Sequence, residues 1–254
     1  ERLKCWSEYE TIEEEFAAWL KEMEKILEEE PKKRADLGDK KSQLERYKAL
    51  ESEITSHSIN LEDMDQKAEK LLEYDTGDVN VKEQTDTLRA RYQALCIRSK
   101  DVTDTLTHSV MEHQGYQDAL QEAERALFDI SQQLTVQGAL PEGESLDDNQ
   151  QQLSQLQGIM RQITACSAKL DHASVASHAL TSSAQATPAL TQHVEAELKS
   201  VEEGLEAVNQ TALSIQTRLQ ELVNQQQVYK ETLQTCADWL QVTQEGWSQD
   251  EVDG

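Results

Sequence analysis

Six histidines, four cysteines and forty-nine acidic residues are the side chains with which this 254-residue chain could do chemistry. A metal site on a helix needs two or more ligands on one face, usually at i and i+4. His108 and His113 lie five apart, His172 and His178 six apart, and His57 and His193 stand alone. His108 with Glu112 has the right separation, but in so acidic a chain chance supplies such pairs often. The sequence shows no Ser-His-Asp grouping, phosphate-cradling glycine loop or calcium loop of alternating acids. General acid–base chemistry needs a concave, desolvated pocket, and carboxylates spread over helix surfaces do not form one. The reading is a non-catalytic chain with no cofactor and no metal. Cys5, Cys96, Cys166 and Cys236 are scattered singly, which suits reduced thiols in a cytosolic setting.

Charge narrows the partners. A formal charge of −25 argues against binding nucleic-acid backbone or an anionic membrane surface, both of which need clustered Lys and Arg. It favours a basic partner. No apolar run approaches the roughly 18 residues that span a bilayer, and no signal-peptide pattern stands at the start. Lys32-Lys33-Arg34 and Lys40-Lys41 form the one basic cluster, beside Glu28-Glu29-Glu30. It reads first as a solvated, self-neutralised loop. The sharper reading makes Lys32, Lys33 and Arg34 a docking point for an acidic segment. From Ser131 to Pro188 the chain is rich in Gln, Ser, Thr and Ala with few charges; this reads first as neutral drift on a tolerant surface, and in the sharper reading as a surface that sheds water cheaply on association.

The elements that carry these residues are helices. Nine glycines and three prolines are far below average usage, and Leu, Gln, Glu, Ala and Lys dominate. Apolar residues at Tyr9, Ile12, Phe16, Trp19-Leu20, Met23 and Leu27 trace one stripe, closed by Pro31. This predicts a first helix over about 3–30. A second, over about 34–74, carries Leu37, Leu44, Tyr47, Leu50, Ile54, Leu61, Met64, Ala68 and Leu71, with a break expected at Asp75-Thr76-Gly77-Asp78. A third starts near Val79 with Val81, Leu88, Tyr92, Leu95 and Val102 and meets no stop signal before Tyr116. Helices over about 79–110 and 111–136 should therefore be one helix of about 58 residues, about 87 Å long.

Gln137-Gly138-Ala139-Leu140-Pro141-Glu142-Gly143 ends that helix, and Ser145-x-x-Asp148 resembles a capping box. A helix over about 145–180 should follow, with Leu146, Leu153, Leu156, Met160, Ile163, Leu170 and Val175 inward. Thr187-Pro188 opens another, over about 188–223, whose stripe is Val194, Leu198, Val201, Leu205 and Val208. It runs on through 224–254 as the start of a further unit or a helical extension. With so few residues left after Trp239, the chain reads as an excerpt from a longer protein.

These helices repeat. Tyr9, Tyr116 and Tyr229 each stand ten residues ahead of Trp19-Leu20, Ala126-Leu127 and Trp239-Leu240, at intervals of 107 and 113 residues. Tyr92 and Leu95 precede Tyr116 by 24 and 21 residues, and Leu205 and Val208 precede Tyr229 by the same offsets. Residues 1–110 and 111–223 are thus two copies of one three-helix unit. The expected core comprises Tyr9, Phe16, Trp19, Leu20, Leu88, Tyr92, Leu95, Tyr116, Leu127, Val201, Leu205, Tyr229, Trp239 and Leu240. Ala126 stands where the pattern wants tryptophan, so the second core should be less well filled unless Phe128 compensates.

Amphipathic helices in threes, each third running into the next unit, resemble spectrin repeats over essentially the whole length. The resemblance implies an all-α fold of tandem three-helix bundles joined by continuous helices, an elongated rod with adjacent repeats as neighbours. Tyr116-Gln117-Asp118-Ala119-Leu120-Gln121-Glu122-Ala123-Glu124-Arg125 looks like the first-helix opening of the giant nesprins. Spectraplakins, dystrophin-like proteins and spectrins share the architecture. The nesprin likeness implies a cytoplasmic, cytoskeletal rod of a parent anchored at the outer nuclear membrane and linked to actin, with an actin-assembly factor such as a formin as candidate partner. A dimeric coiled coil is opposed by the Pro and Gly breaks, through which long heptads would have to run. Light scattering at micromolar concentration should therefore return the monomer mass of 28.8 kDa, and a dimer would sink the folded-back reading.

Overall fold

The computed structural model describes residues 2–74, 79–141 and 143–250. Among them lie six helices and no strand: α1 (Arg2–Glu28), α2 (Leu37–Ser56), α3 (Ser58–Tyr74), α4 (Val79–Ala139), α5 (Leu146–Ser182) and α6 (Pro188–Asp250). The turn expected at Asp75-Thr76-Gly77-Asp78 lies outside the described residues.

Local chemistry sets most of the ends. α1 stops three residues before Pro31, whose ring cannot continue the ladder. Asp36 caps α2, its Oδ1 accepting the Asp39 amide at 3.0 Å. Ser145 and Asp148 form the expected reciprocal box at α5, Oγ accepting the Asp148 amide and Oδ2 the Ser145 amide, both at 3.2 Å. Thr187 Oγ1 accepts the Leu190 amide at 3.2 Å, with Pro188 in the first helical position. α4 is a single helix of 61 residues that passes through Gly115.

The helix expected over 34–74 is interrupted at His57, and tertiary packing is the reason. The imidazole stacks on Trp19 with centroids 3.8 Å apart and planes 12° from parallel. The backbone tightens there, the His57 amide donating to Ile54 O at 3.2 Å. The Tyr92 hydroxyl donates to Ile54 O at 3.0 Å and Thr55 O at 3.3 Å, satisfying carbonyls at the end of α2. No residue near 57 signals this, because the cause lies on α1 and α4.

The chain divides into two compact units, Glu1–Gly115 with His178–Gln192, and Tyr116–Ser177 with His193–Gly254. The first unit's core joins α1 (Tyr9, Phe16, Leu20, Met23, Leu27) to Ile54, Met64, Ala68 and Leu71 and to Val81, Leu88, Tyr92 and Leu95 of α4. A separate small cluster of Leu44, Val102 and Leu106, with Tyr47 and Val110 against it, fills another part of this unit. The second core joins Ile130 and Leu134 of α4, Leu153, Leu156, Ile159, Ile163 and Cys166 of α5, and Ala212, Ile215 and Leu219 of α6. Val175 departs from expectation and is exposed, because Ala173, Ser177 and Leu180 take the inward face of that turn.

A methyl group added at Gly115 meets nothing within 4 Å, and its backbone is ordinary helix. Gly115→Ala should therefore stabilise the protein by about 1 kcal/mol in urea denaturation, since alanine gives up less chain entropy than glycine. A loss of stability would show that α4 is not continuous there.

Candidate functional site

Each unit is tied together by the tyrosine that opens its repeat. Tyr9, 2% exposed, places its hydroxyl 3.3 Å from Val81 O, to which it donates, and 2.9 Å from Thr85 Oγ1. Tyr116, 1% exposed, donates to Val194 O at 3.4 Å and Glu197 Oε2 at 3.0 Å. In both cases the acceptor carbonyl lies near the start of the unit's third helix. Burial, with Glu197 beside the hydroxyl, pushes the Tyr116 phenol well above its usual range.

Above this tie the two units differ. In the first, Phe16, Trp19, Tyr92 and His57 form one ring cluster, with Phe16–Trp19 centroids at 5.6 Å and Phe16–Tyr92 at 5.8 Å. Burial raises the Tyr92 phenol to about 12. At the corresponding places the second unit has Ala123, Ala126 and Leu205. Phe128 does not compensate, because it is 62% exposed on the opposite side of the helix. Instead the helices approach: a methyl at Gly204 would sit 2.9 Å from Leu127 Cδ2, so Leu127 packs directly on the α6 backbone. Cys166, buried beside Ala123 with Sγ 3.6 Å from its carbonyl, takes up further space, and burial raises its thiol.

Ion pairs rim the first unit. Arg91 donates to Glu24 through Nε at 3.0 Å and Nη2 at 2.8 Å, a two-pronged contact that holds the Glu24 carboxyl below its usual range. Lys67 pairs with Glu8, and Arg89 bridges Asp65 and Asp86. Lys169 pairs with Glu122 at 2.9 Å in the second unit.

The core residues read from the sequence fall into three groups. Tyr9, Phe16, Leu20, Leu88, Tyr92, Leu95, Tyr116 and Val201 are buried. Trp19, Leu127 and Leu205 are half-buried against those cores. Tyr229, Trp239 and Leu240 are 67%, 65% and 59% exposed, contrary to the core assignment. Every residue of α6 from 227 to 242 is exposed, so no described element covers that stretch. The stretch is helical, and an exposed stripe of this kind is buried only by other helices.

Lys32 and Arg34 line a cleft of about 800 Å³ between the end of α1 and the start of α2, with Lys25 and Arg46 and with Glu22, Glu29, Glu30 and Asp39. Four bases face four acids. Lys33 is exposed but outside the cleft. Lys40 departs from the solvated-loop reading: it lies on α2, is 4% exposed, and its amine has no hydrogen-bond partner. Desolvation lowers its pKa, partly offset by Glu112. Glu112 takes His108 Nε2 at 3.1 Å on Oε1, while Oε2 and the buried Ser109 Oγ stand without partners. Lys40 and the His108–Glu112 spacing are visible in the sequence, but the burial of Lys40 near Glu112 is not, because lysine at a helix start is ordinarily solvated.

Two outcomes follow from these contacts. Trp19→Ala should destabilise the first unit by about 3 kcal/mol in urea denaturation, since it leaves a void beside Phe16, Tyr92 and His57; a change within experimental error would deny the ring cluster its role. Glu24 stabilises through a lowered carboxyl, so its contribution is present above pH 4.5 and is lost as pH falls below it. Both partners are more than a third exposed, so screening holds this below about 1 kcal/mol. Glu24→Gln should flatten the acid-side slope of the urea midpoint, and an unchanged slope would dismiss the pair.

Among the described residues no helix is long and apolar enough to cross a membrane. Residues 6–108 match the spectrin repeat family. A curated relative, "Muscle-specific protein 300 kDa" of Drosophila melanogaster, is 26% identical over 133 residues, which cover 52% of this chain. The aligned stretch spans about 1% of that protein's length. The buried Tyr9 tie and the stripes of α1 to α4 lie within the span that matches the spectrin repeat, residues 6–108.

Proposed function

We propose that the chain is a non-catalytic rod segment of a cytoskeletal linker, serving as a mechanical spacer and as a docking platform for regulators of the actin cytoskeleton. The observation that carries this reading is α4, one helix of 61 residues whose first part packs in the first unit's core and whose last part packs in the second's. Unfolding either core pulls on a helix shared with the other, which suits a chain that bears load along its length. A basic or charge-balanced partner surface fits the −25 charge and the mixed cleft at Lys32 and Arg34. The nesprin-like opening at Tyr116 to Arg125 supports coupling of the nucleus to the cytoskeleton from the cytoplasmic side, with an actin-assembly factor such as a formin as partner. A rod of a spectraplakin, dystrophin-like or spectrin protein is the second reading, favoured by the family match, which is shared by all of them.

The exposed stretch of α6 belongs to the same proposal. Six large apolar side chains from Val228 to Val242 are more than half exposed, more than a monomer surface ordinarily shows in one place. Tyr229 and Trp239-Leu240 reproduce the spacing that buries Tyr9 and Trp19-Leu20, so two further helices of an adjacent repeat are its natural cover.

Optical-tweezers stretching between the chain's ends should give reversible unfolding in steps of about one repeat or of both together. Gradual extension without steps would rule out the load-bearing role. Replacing this segment in its parent by an unrelated helical bundle of equal length separates the two functions: retained coupling means spacing alone, and lost coupling means docking.

A further inference from the structure

We propose that the first two turns of α2, Leu37 to Leu44, form a latch that detaches from α4 ahead of the rest of the first unit, released by the buried Lys40 amine. Most of that unit is held by one continuous apolar core that includes Ile54 and all the buried residues of α3. The start of α2 is not part of it. Leu44 packs with Val102 and Leu106 in a cluster of three buried residues, flanked by Tyr47 and Val110. Around this cluster α4 presents polar side chains inward, Ser99, Thr103, Ser109 and His113, each no more than 6% exposed. Apolar burial, the main source of cohesion, is therefore thin at this place.

Into this surface α2 inserts a lysine. Lys40 is 4% exposed and its Nζ has no hydrogen-bond partner. Glu112 on α4 is the counter-charge that acts on it, yet that carboxylate spends Oε1 on His108 and leaves Oε2 unpaired. A buried charge without a direct partner opposes the closed arrangement, and swinging α2 outward returns it to water. What holds the segment shut is the burial of two leucines, Leu37 and Leu44, and the exposed bond from Lys41 Nζ to Gln114 Oε1 at 2.7 Å; the Asp36 cap on Asp39 is internal to the segment. Residues 29–36 before α2 are non-helical, so the segment can swing without unwinding α1. Opening would uncover Leu44, Val102 and Leu106, an apolar strip hidden in the closed state.

Native-state hydrogen exchange on the full chain tests this. Amides of residues 42–47 should exchange through an opening that depends only weakly on denaturant, whereas those of residues 88–95 should exchange by global unfolding. Lys40→Met, which keeps the length and removes the charge, should slow the 42–47 amides about tenfold while shifting the 88–95 amides much less. Lys41→Met, which removes an exposed bond, should not slow them. Equal slowing of both sets would mean that α2 opens only with the whole unit and would overturn the latch. Faster exchange in Lys40→Met would overturn it too, by showing that the amine stabilises the closed state.

Discussion

An amphipathic helix alone in water leaves its apolar stripe wet, and every helix of this chain depends on two others to cover it. That constraint explains why the repeated unit has three helices and why α4 and α6 are so long. α4 shares its length between the two cores, with Val81 to Leu95 in the first and Ile130 and Leu134 in the second. It also explains the exposure of Tyr229, Trp239 and Leu240, which have the spacing of a covered stripe and no described element over them. The buried tyrosine hydroxyls set the relative placement of helices within each unit, because a phenol removed from water has to find a carbonyl. Tyr9 finds Val81 O and Tyr116 finds Val194 O.

The two units satisfy this constraint with different side chains. The first fills its middle with rings, Phe16, Trp19 and Tyr92, and recruits the His57 imidazole at the cost of one residue of regular helix. The second fills the corresponding space by closer approach, with Leu127 on the backbone at Gly204 and Cys166 at Ala123. A close contact on the helix backbone takes the place of ring volume there. The polar interior near Lys40, Ser109 and Glu112 is the exception to good filling, and it lies where the first unit's main core has already ended.

Much of this was legible in the amino-acid order. The periodic stripes, the caps at Ser145 and Thr187, the stop at Pro31 and the uninterrupted run through Gly115 are local properties, set by residues within a turn or two of one another. The repeat offsets located the tyrosines and the weak place at Ala126. Lys32 and Arg34 were recognisable as a basic cluster balanced by neighbouring acids, though not as the lining of a cleft that also gathers Glu22 of α1 and Asp39 of α2.

Sequence alone therefore determined the class of fold, most of the helix ends and most of the stripes that face inward, because these follow from side-chain period and backbone hydrogen bonding over short range. Tertiary structure alone decided where α2 and α3 part, how the second unit compensates for its missing tryptophan, that Lys40 is buried while Val175 and Phe128 are not, and that the last apolar stripe is uncovered. Each of those depends on which residue of a distant helix stands opposite, a relation between positions tens of residues apart that periodicity does not encode.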